Sequence, residues 1–371
     1  MIFGIPLEIR QHENRVGAAP FLVEELVKRG HQVLVESKAG VKSGFSDESY
    51  ENSGALVVPS AEKLYAQADV ILKVQAPTPV EYDLIRPEHI ILAFYFFLNN
   101  PDLARTLVAR GCSCFAYEMY TLGNGHHPLF EIQSEIAGQV AILQGMCLLQ
   151  TASGGRGILP GGATGAHPAQ VVVLGAGPGG HSAALRAAHQ NAEVIVLDPS
   201  FDALQQIAST GITNLSTMYL NEYTLRQIFP GTDLVICARQ EVTSQPQTII
   251  SRDLLQLLPE GAVIIDMDIE LGGSVETSHP TTFDNPTFVQ DGVIHYCVPN
   301  LPGVVPLSAS PAHSSALLPC LLKFSSSDFE TIAREDPEFR SGIMIFEGRV
   351  PNSELAGKLN VSHYAFNEDE S

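Results

Sequence analysis

VVVLGAGPGGHSAALRAAHQNAEVIVLD, residues 171–198, reads as an apolar strand, a glycine-rich turn, a helix and a second strand. The spacing Gly175-x-Gly177-x-x-Gly180 places each glycine where backbone must do something a side chain forbids. Gly175 permits the tight turn, Gly177 lets backbone approach a pyrophosphate, and Gly180 lets helix and strand come close. The helix start, with Pro178 in its first turn, presents unbonded N–H groups and the positive dipole end to phosphate. Asp198 closes the next strand, where its carboxylate can accept from both ribose hydroxyls. A carboxylate there repels a 2′-phosphate, so the cofactor expected is NAD(H) rather than NADP(H). A bare GxGxxG is also met in turns that hold no ligand. Strand, glycines, helix, strand and terminal Asp in register separate this stretch from those.

Working outward, short apolar runs alternate with helical patterns over most of the chain. MIFGIPLE, HQVLVES, ALVVPS, DVILKV, IILAFYFF and CSCFAYEMY read as strands before the fingerprint. DLVICA, AVIIDMDI and VIHYCVP read as strands after it. Stretches such as FLVEELVKRG and PDLARTLVARG read as amphipathic helices ending at Gly. Strands apolar on both faces and joined by helices make parallel sheets covered on both sides. The expected fold is therefore α/β, with two Rossmann-like domains. A helix from Ser134 to about Gln150 and the loop GGRGILPGGATGAHPAQ lie between the two series, and the chain turns helical again from about Pro302.

The totals restrict the function classes. Asp and Glu (41) outnumber Lys and Arg (21), a formal charge of −20, which repels nucleic-acid backbones and anionic membranes. The six cysteines (Cys112, Cys114, Cys147, Cys237, Cys297 and Cys320) are scattered, mostly in apolar runs, without the paired spacing of a zinc site or a disulfide scaffold. No metal is expected. The N-terminus lacks a basic segment followed by an apolar stretch, and no apolar run reaches membrane length. The expected location is the cytoplasm.

With these motifs in place, the chain resembles the alanine dehydrogenase family and, more distantly, the NAD-binding subunit of nicotinamide nucleotide transhydrogenase. The resemblance runs through GIPLEIRQHENRV, LKVQAP, SEIAG, GGRGILPGG, the fingerprint, GAVIIDMDIELGG, HPTTFDNPTF and NLPGVVP, in that order. It implies a substrate domain of residues 1–130 plus 303–371 and a NAD-binding domain of residues 131–302, with an active-site cleft separating them. It also implies a homo-oligomer, a hexamer in most of the family, with a dimer as the alternative. Arg15 in ENRV matches an arginine that clamps the substrate carboxylate, a task suited to a bidentate fork. Lys73 in LKVQAP matches a lysine that contacts the substrate carbonyl and carboxylate, and it sits in an apolar strand where an unpaired charge is costly. Ser134 and Leu301 are implied on the cofactor side and Asn300 on the substrate side. Glu135 matches a family position too, though a carboxylate in a helix's first turn has an equally good capping explanation.

Two matches break. The family's catalytic histidine aligns with Phe97, which cannot transfer a proton, and the family's second catalytic carboxylate, an aspartate, aligns with Glu270, one methylene longer. Asp268 lies two residues from Glu270, on the same face if that segment is a strand. Three readings follow. The chain reduces a different substrate in a more apolar pocket shaped by Phe97 with Phe94, Tyr95 and Phe96, such as a bulkier 2-oxo acid or a preformed imine. Alternatively, proton transfer has moved to His313 or His12. A third possibility is a NAD-binding regulatory homologue that has lost catalysis, against which the retention of Arg15 and Lys73 speaks. The first is the expectation carried forward: a NAD-dependent oxidoreductase acting on a CH–NH2 or C=N group, with Lys73, Glu270 and His313 as candidate catalytic groups. Its small-molecule partner would be an amino acid, 2-oxo acid or imine bearing a carboxylate.

Overall fold

The computed structural model describes residues 1–239 and 247–366. The chain divides into two compact units, one made of Met1–Ile132 with Gly303–Ser371, the other of Gln133–Pro302.

Fourteen strands run through the described residues in chain order: β1 (Ile2–Ile5), β2 (Gln32–Glu36), β3 (Leu56–Val58), β4 (Val70–Gln75), β5 (Ile90–Phe94), β6 (Ser113–Ala116), β7 (Gln170–Leu174), β8 (Glu193–Asp198), β9 (Leu215–Tyr219), β10 (Leu234–Cys237), β11 (Val263–Asp266), β12 (Thr287–Gln290), β13 (Val293–Tyr296) and β14 (Ile343–Ile345). In the first unit the order is β14-β6-β5-β4-β1-β2-β3, parallel except for β14, which runs antiparallel to β6. In the second it is β12-β13-β11-β10-β7-β8-β9, parallel except for β12. Both sheets are doubly wound. The order reverses between β1 and β4 in one and between β7 and β10 in the other, and ligands in such folds sit at that reversal, beyond the strands' carboxyl ends.

The central strands are apolar on both faces, as their sequences require. Phe3, Leu72, Val74 and Phe94 enter one buried cluster of the first unit, while Ile71, Ile91, Ala93 and Cys114 enter another. The helix Pro306–Phe324 belongs to the first cluster through Leu317, Cys320, Leu321 and Phe324, so the C-terminal segment completes the core of the N-terminal one. No helix among the described residues is long and apolar enough to cross a membrane.

Candidate active site

In the second unit, the fingerprint forms as the residue types dictate. β7 ends at Leu174, Gly175 takes a left-handed φ of 108°, and the helix Pro178–His189 begins behind Gly177. The glycines are not equivalent. A Cβ on Gly180 would lie 1.9 Å from the Gly175 carbonyl oxygen, so close packing alone demands that residue. A Cβ on Gly177 would meet nothing within 4 Å. Packing does not require glycine there, and the space in front of it is what an approaching pyrophosphate would use. Asp198 Oδ2 accepts from the Ala176 N–H at 2.7 Å and Oδ1 accepts from the Ser200 N–H at 2.7 Å. The carboxylate thus clasps the glycine turn and keeps further lone pairs for hydroxyl donors.

Ser134 lies in the helix Pro128–Leu148, one turn before Gly138 and on the same face. A Cβ on Gly138 would fall 2.1 Å from the Gly179 carbonyl oxygen, so this face lies directly against the start of the fingerprint helix. Ser134 Oγ is buried and has no hydrogen-bond partner. An orphaned hydroxyl beside an open glycine turn suits a ligand with polar groups, and the residues present fit a dinucleotide. Glu135 is exposed on the same helix. Because the helix begins at Pro128, Glu135 stands outside the first turn, and the capping explanation for it does not hold.

At the carboxyl end of β11, Asp266 is buried and accepts from the Ser274 N–H and the Asp268 N–H. Burial, and then the neighbouring Asp268, push its carboxyl up to about 7. The segment Met267–Leu271 is a 3-10 turn rather than a strand, so the two-residue spacing does not align Asp268 with Glu270. Asp268 is buried with Ser274 Oγ on its Oδ2, while Glu270 is half-buried. Asn300 holds a left-handed φ of 60° just ahead of the buried Leu301. Residues 240–246, within the polar stretch CARQEVTSQPQT (237–248), and the C-terminus from residue 367 lie outside the described residues.

In the first unit, the charged groups gather at the β1/β4 reversal. Lys73 is fully buried inside β4, where the pairing with β5 shifts register between Leu72 and Gln75. Its Nζ lies 3.1 Å from Glu8 Oε2 and 2.8 Å from Glu81 Oε1. Tyr65 donates to Glu81 as well, at 3.1 Å. Glu8 Oε1 in turn accepts from the Val74 N–H at 2.6 Å, so the carboxylate ties the loop after β1 to the end of β4. Nearby carboxylates hold the Lys73 ammonium above its ordinary range against the opposing effect of burial, while burial raises Glu8. Lys73 is therefore the centre of an internal ion cluster.

Arg15 is likewise buried and gripped by Glu13, Nε donating to Oε1 at 2.9 Å and Nη2 to Oε2 at 2.6 Å. The backbone beyond it is pinned to the helix Pro306–Phe324, since Val16 N–H donates to Ser310 Oγ and Ala19 N–H to Ser314 Oγ. That helix carries His313, which is fully buried with no partner on either ring nitrogen. Burial first, and the Arg15 charge second, lower its pKa to about 3. It is neutral near pH 7, the form that offers one donor and one acceptor. Tyr117 stands edge-on to it at 4.9 Å between ring centroids and Phe94 at 5.9 Å. Phe96 stacks on Phe94 and meets Phe130. His12 is half-buried in the loop ahead of Arg15, at a left-handed φ of 61°.

Phe97 does not join this group. It stacks on Tyr95 at 4.3 Å in the other apolar cluster, with Leu98, Leu103 and Leu107. The reason is alternation beyond β5. Phe94 and Phe96 go to the His313 side and Tyr95 and Phe97 to the opposite one, with Phe96 at a left-handed φ of 48° and its N–H on Glu118 Oε1. Of the four aromatic residues expected to shape the pocket, Phe94 and Phe96 lie on this side, while Tyr117 and the carboxylates Glu8, Glu13 and Glu81 join the group without having been singled out from the sequence. The signal available was the period of two along IILAFYFF and the presence of glutamates in otherwise apolar surroundings.

Family models match along the chain on this architecture. "Alanine dehydrogenase/PNT, N-terminal domain" covers residues 4–137 and "Alanine dehydrogenase/PNT, C-terminal domain" covers residues 141–353. The chain belongs to the alanine dehydrogenase/PNT family. It is 35% identical over 361 residues to the alanine dehydrogenase of Mycobacterium tuberculosis, covering 97% of both chains. To that of Bacillus subtilis it is 32% identical over 364 residues, covering 98% of this chain and 96% of the relative. A solved L-alanine dehydrogenase superposes with a TM-score of 0.90 at 33% identity, over 96% of this chain and 98% of the other. The family's two-sheet fold is thus present throughout, including both doubly wound reversals.

Proposed function

We propose that the protein is a NAD(H)-dependent oxidoreductase of amino acids, reducing a 2-oxo acid or imine that carries a carboxylate, with a substrate other than alanine. The observation that carries the cofactor half is Gly177, a glycine with open space before it in a turn that Asp198 holds in place. Gly175, Gly177, Pro178, Gly180 and Asp198 would hold the dinucleotide, with Ser134 and Leu301 beside it. When bound, NADH supplies the hydride for a C=N or C=O carbon.

This chain's own residues do the rest. Arg15 would present its guanidinium to the substrate carboxylate, sharing it with Glu13. Lys73 holds Glu8, and Glu8 holds the backbone at Val74, so it acts on the site as a positioning residue. Glu270 is the carboxylate proposed to move the proton, in place of the family's aspartate. Phe94, Phe96 and Phe130 give the substrate an aromatic rather than a protic wall, which favours a larger side chain than methyl. A catalytically silent, regulatory NAD-binding homologue is the second reading. It is favoured by one observation, that Arg15 and Lys73 already face carboxylates within the chain.

An NADH-oxidation screen with ammonia or amines across 2-oxo acids decides between them. Turnover of a branched or polar 2-oxo acid above pyruvate is the expected result. NADH binding by fluorescence with no turnover on any member would establish the regulatory reading instead. The same preparation, run by sedimentation, tests the homo-oligomer that the family resemblance implies.

A further inference from the structure

We propose that His313 and Tyr117 form the polar end of the substrate site in the first unit and select a side chain bearing an uncharged hydrogen-bonding group, a carboxamide or a hydroxyl. The inference rests on the proposed function and names the substrate class of that site. Three polar atoms carry it. His313 Nδ1, His313 Nε2 and Tyr117 Oη are buried with no hydrogen-bond partner, on two fully buried rings 4.9 Å apart. Buried polar atoms in folded chains are almost always paired, so a pair of side chains leaving three unpaired calls for an occupant. The two sit in the same group as Arg15, whose charge acts on His313, and as Phe94.

The chemistry of the occupant follows from what the pair can offer. A neutral imidazole has one donor and one acceptor, and a phenol has a donor and an acceptor. Together they match a group that both donates and accepts. An anionic or cationic side chain would be desolvated here without a compensating charge, because Arg15 is already faced by Glu13, Glu8 by Lys73, and the rings packed against the pair are Phe94 and Phe115. A purely aliphatic side chain would leave the three atoms unpaired, and sites built around buried hydrogen-bonding groups reject such analogues strongly. The placement is rigid. Ser310 and Ser314, on either side of His313 in its helix, are both fixed to the backbone that follows Arg15.

The test uses two 2-oxo acids of nearly equal shape, 2-oxosuccinamate and 4-methyl-2-oxopentanoate, with NADH and ammonia. The full-length protein is expected to favour the carboxamide by at least about tenfold in kcat/KM. His313→Leu should collapse that ratio at least about tenfold, chiefly through KM for the carboxamide, and Tyr117→Phe should lower it less. His313→Gln, which keeps a donor and an acceptor, should restore part of it. NADH fluorescence confirms that each variant is folded. A wild-type preference for the aliphatic acid overturns the proposal, and so does a ratio that His313→Leu leaves unmoved, the result expected if the cluster holds only a buried water. If no 2-oxo acid turns over, the dehydrogenase reading fails on its own, and binding still decides the inference. Thermal stabilisation of the NADH-loaded protein by L-asparagine over L-leucine, lost in His313→Leu, sustains it; equal stabilisation by both overturns it.

Discussion

Lys73 carries its charge to a depth that water does not reach, and two carboxylates meet it there. Removing the cation leaves Glu8 and Glu81 buried without a counter-charge, which typically costs about 3–5 kcal/mol. Lys73→Met should therefore lower the urea midpoint sharply, and Lys73→Met combined with Glu8→Gln and Glu81→Gln should recover much of the loss. His313 makes a prediction of opposite character. Its pKa falls from 6.5 to about 3 on folding, so the unfolded chain takes up a proton before the folded one does. The stability tied to it is complete above pH 6.5 and declines as pH drops from there toward 3, by about 1.4 kcal/mol per pH unit. Urea unfolding of His313→Leu between pH 6.5 and 4.5 should accordingly show a shallower loss than the wild type. The oddness of a lysine in an apolar strand was readable in the sequence. Its partners were not, because Glu8 follows β1 and only the β1/β4 pairing brings it beside Lys73, while Glu81 folds back from the 3-10 segment after β4.

Elements show where pattern reading succeeds and where it stops. The central strands announced themselves because burial on both faces forces an unbroken apolar run. Three strands did not: β9 (LSTMY), β12 (TFVQ) and β14 (IMI). All three are sheet edges, paired on one side only, and their residues are mixed or too few to form a pattern. The 3-10 turn at Met267–Leu271 escaped for a related reason, since a strand and a short turn share the same apolar composition. The glycine turn, by contrast, was fully legible, and it allows two substitutions of one type to be set against each other. Gly180→Ala drives a methyl into the Gly175 carbonyl and should destabilise the second unit, visible as a lower Tm. Gly177→Ala meets open space, so its Tm should match the wild type while the NADH Kd rises at least about tenfold, or ~1.4 kcal/mol. Loss of stability in Gly177→Ala, with NADH binding unchanged, would remove Gly177 from the cofactor site. Asp198→Ala, which releases Ala176 and Ser200 and removes the negative charge, should narrow the preference for NADH over NADPH in the same assay.

At the scale of the molecule, both units repeat one winding order, and the strand-helix alternation was enough to anticipate it. The distinction between Phe96 and Phe97 follows the period of two along IILAFYFF carried past the end of β5, which sends Phe94 and Phe96 to one side and Tyr95 and Phe97 to the other.

The route of the chain through the two units also orders events on the ribosome. The second unit is one continuous segment, Gln133–Pro302, and all its strands have emerged before the first unit is complete. Until Ile343 arrives to pair opposite Phe115, β6 is an open edge, and the cluster containing Phe3 lacks Leu317, Leu321 and Phe324. The nascent N-terminal segment must therefore wait, with an exposed edge and an unfilled core, through the synthesis of an entire intervening domain. That interval, rather than the finished protein, is where misassembly has its opportunity.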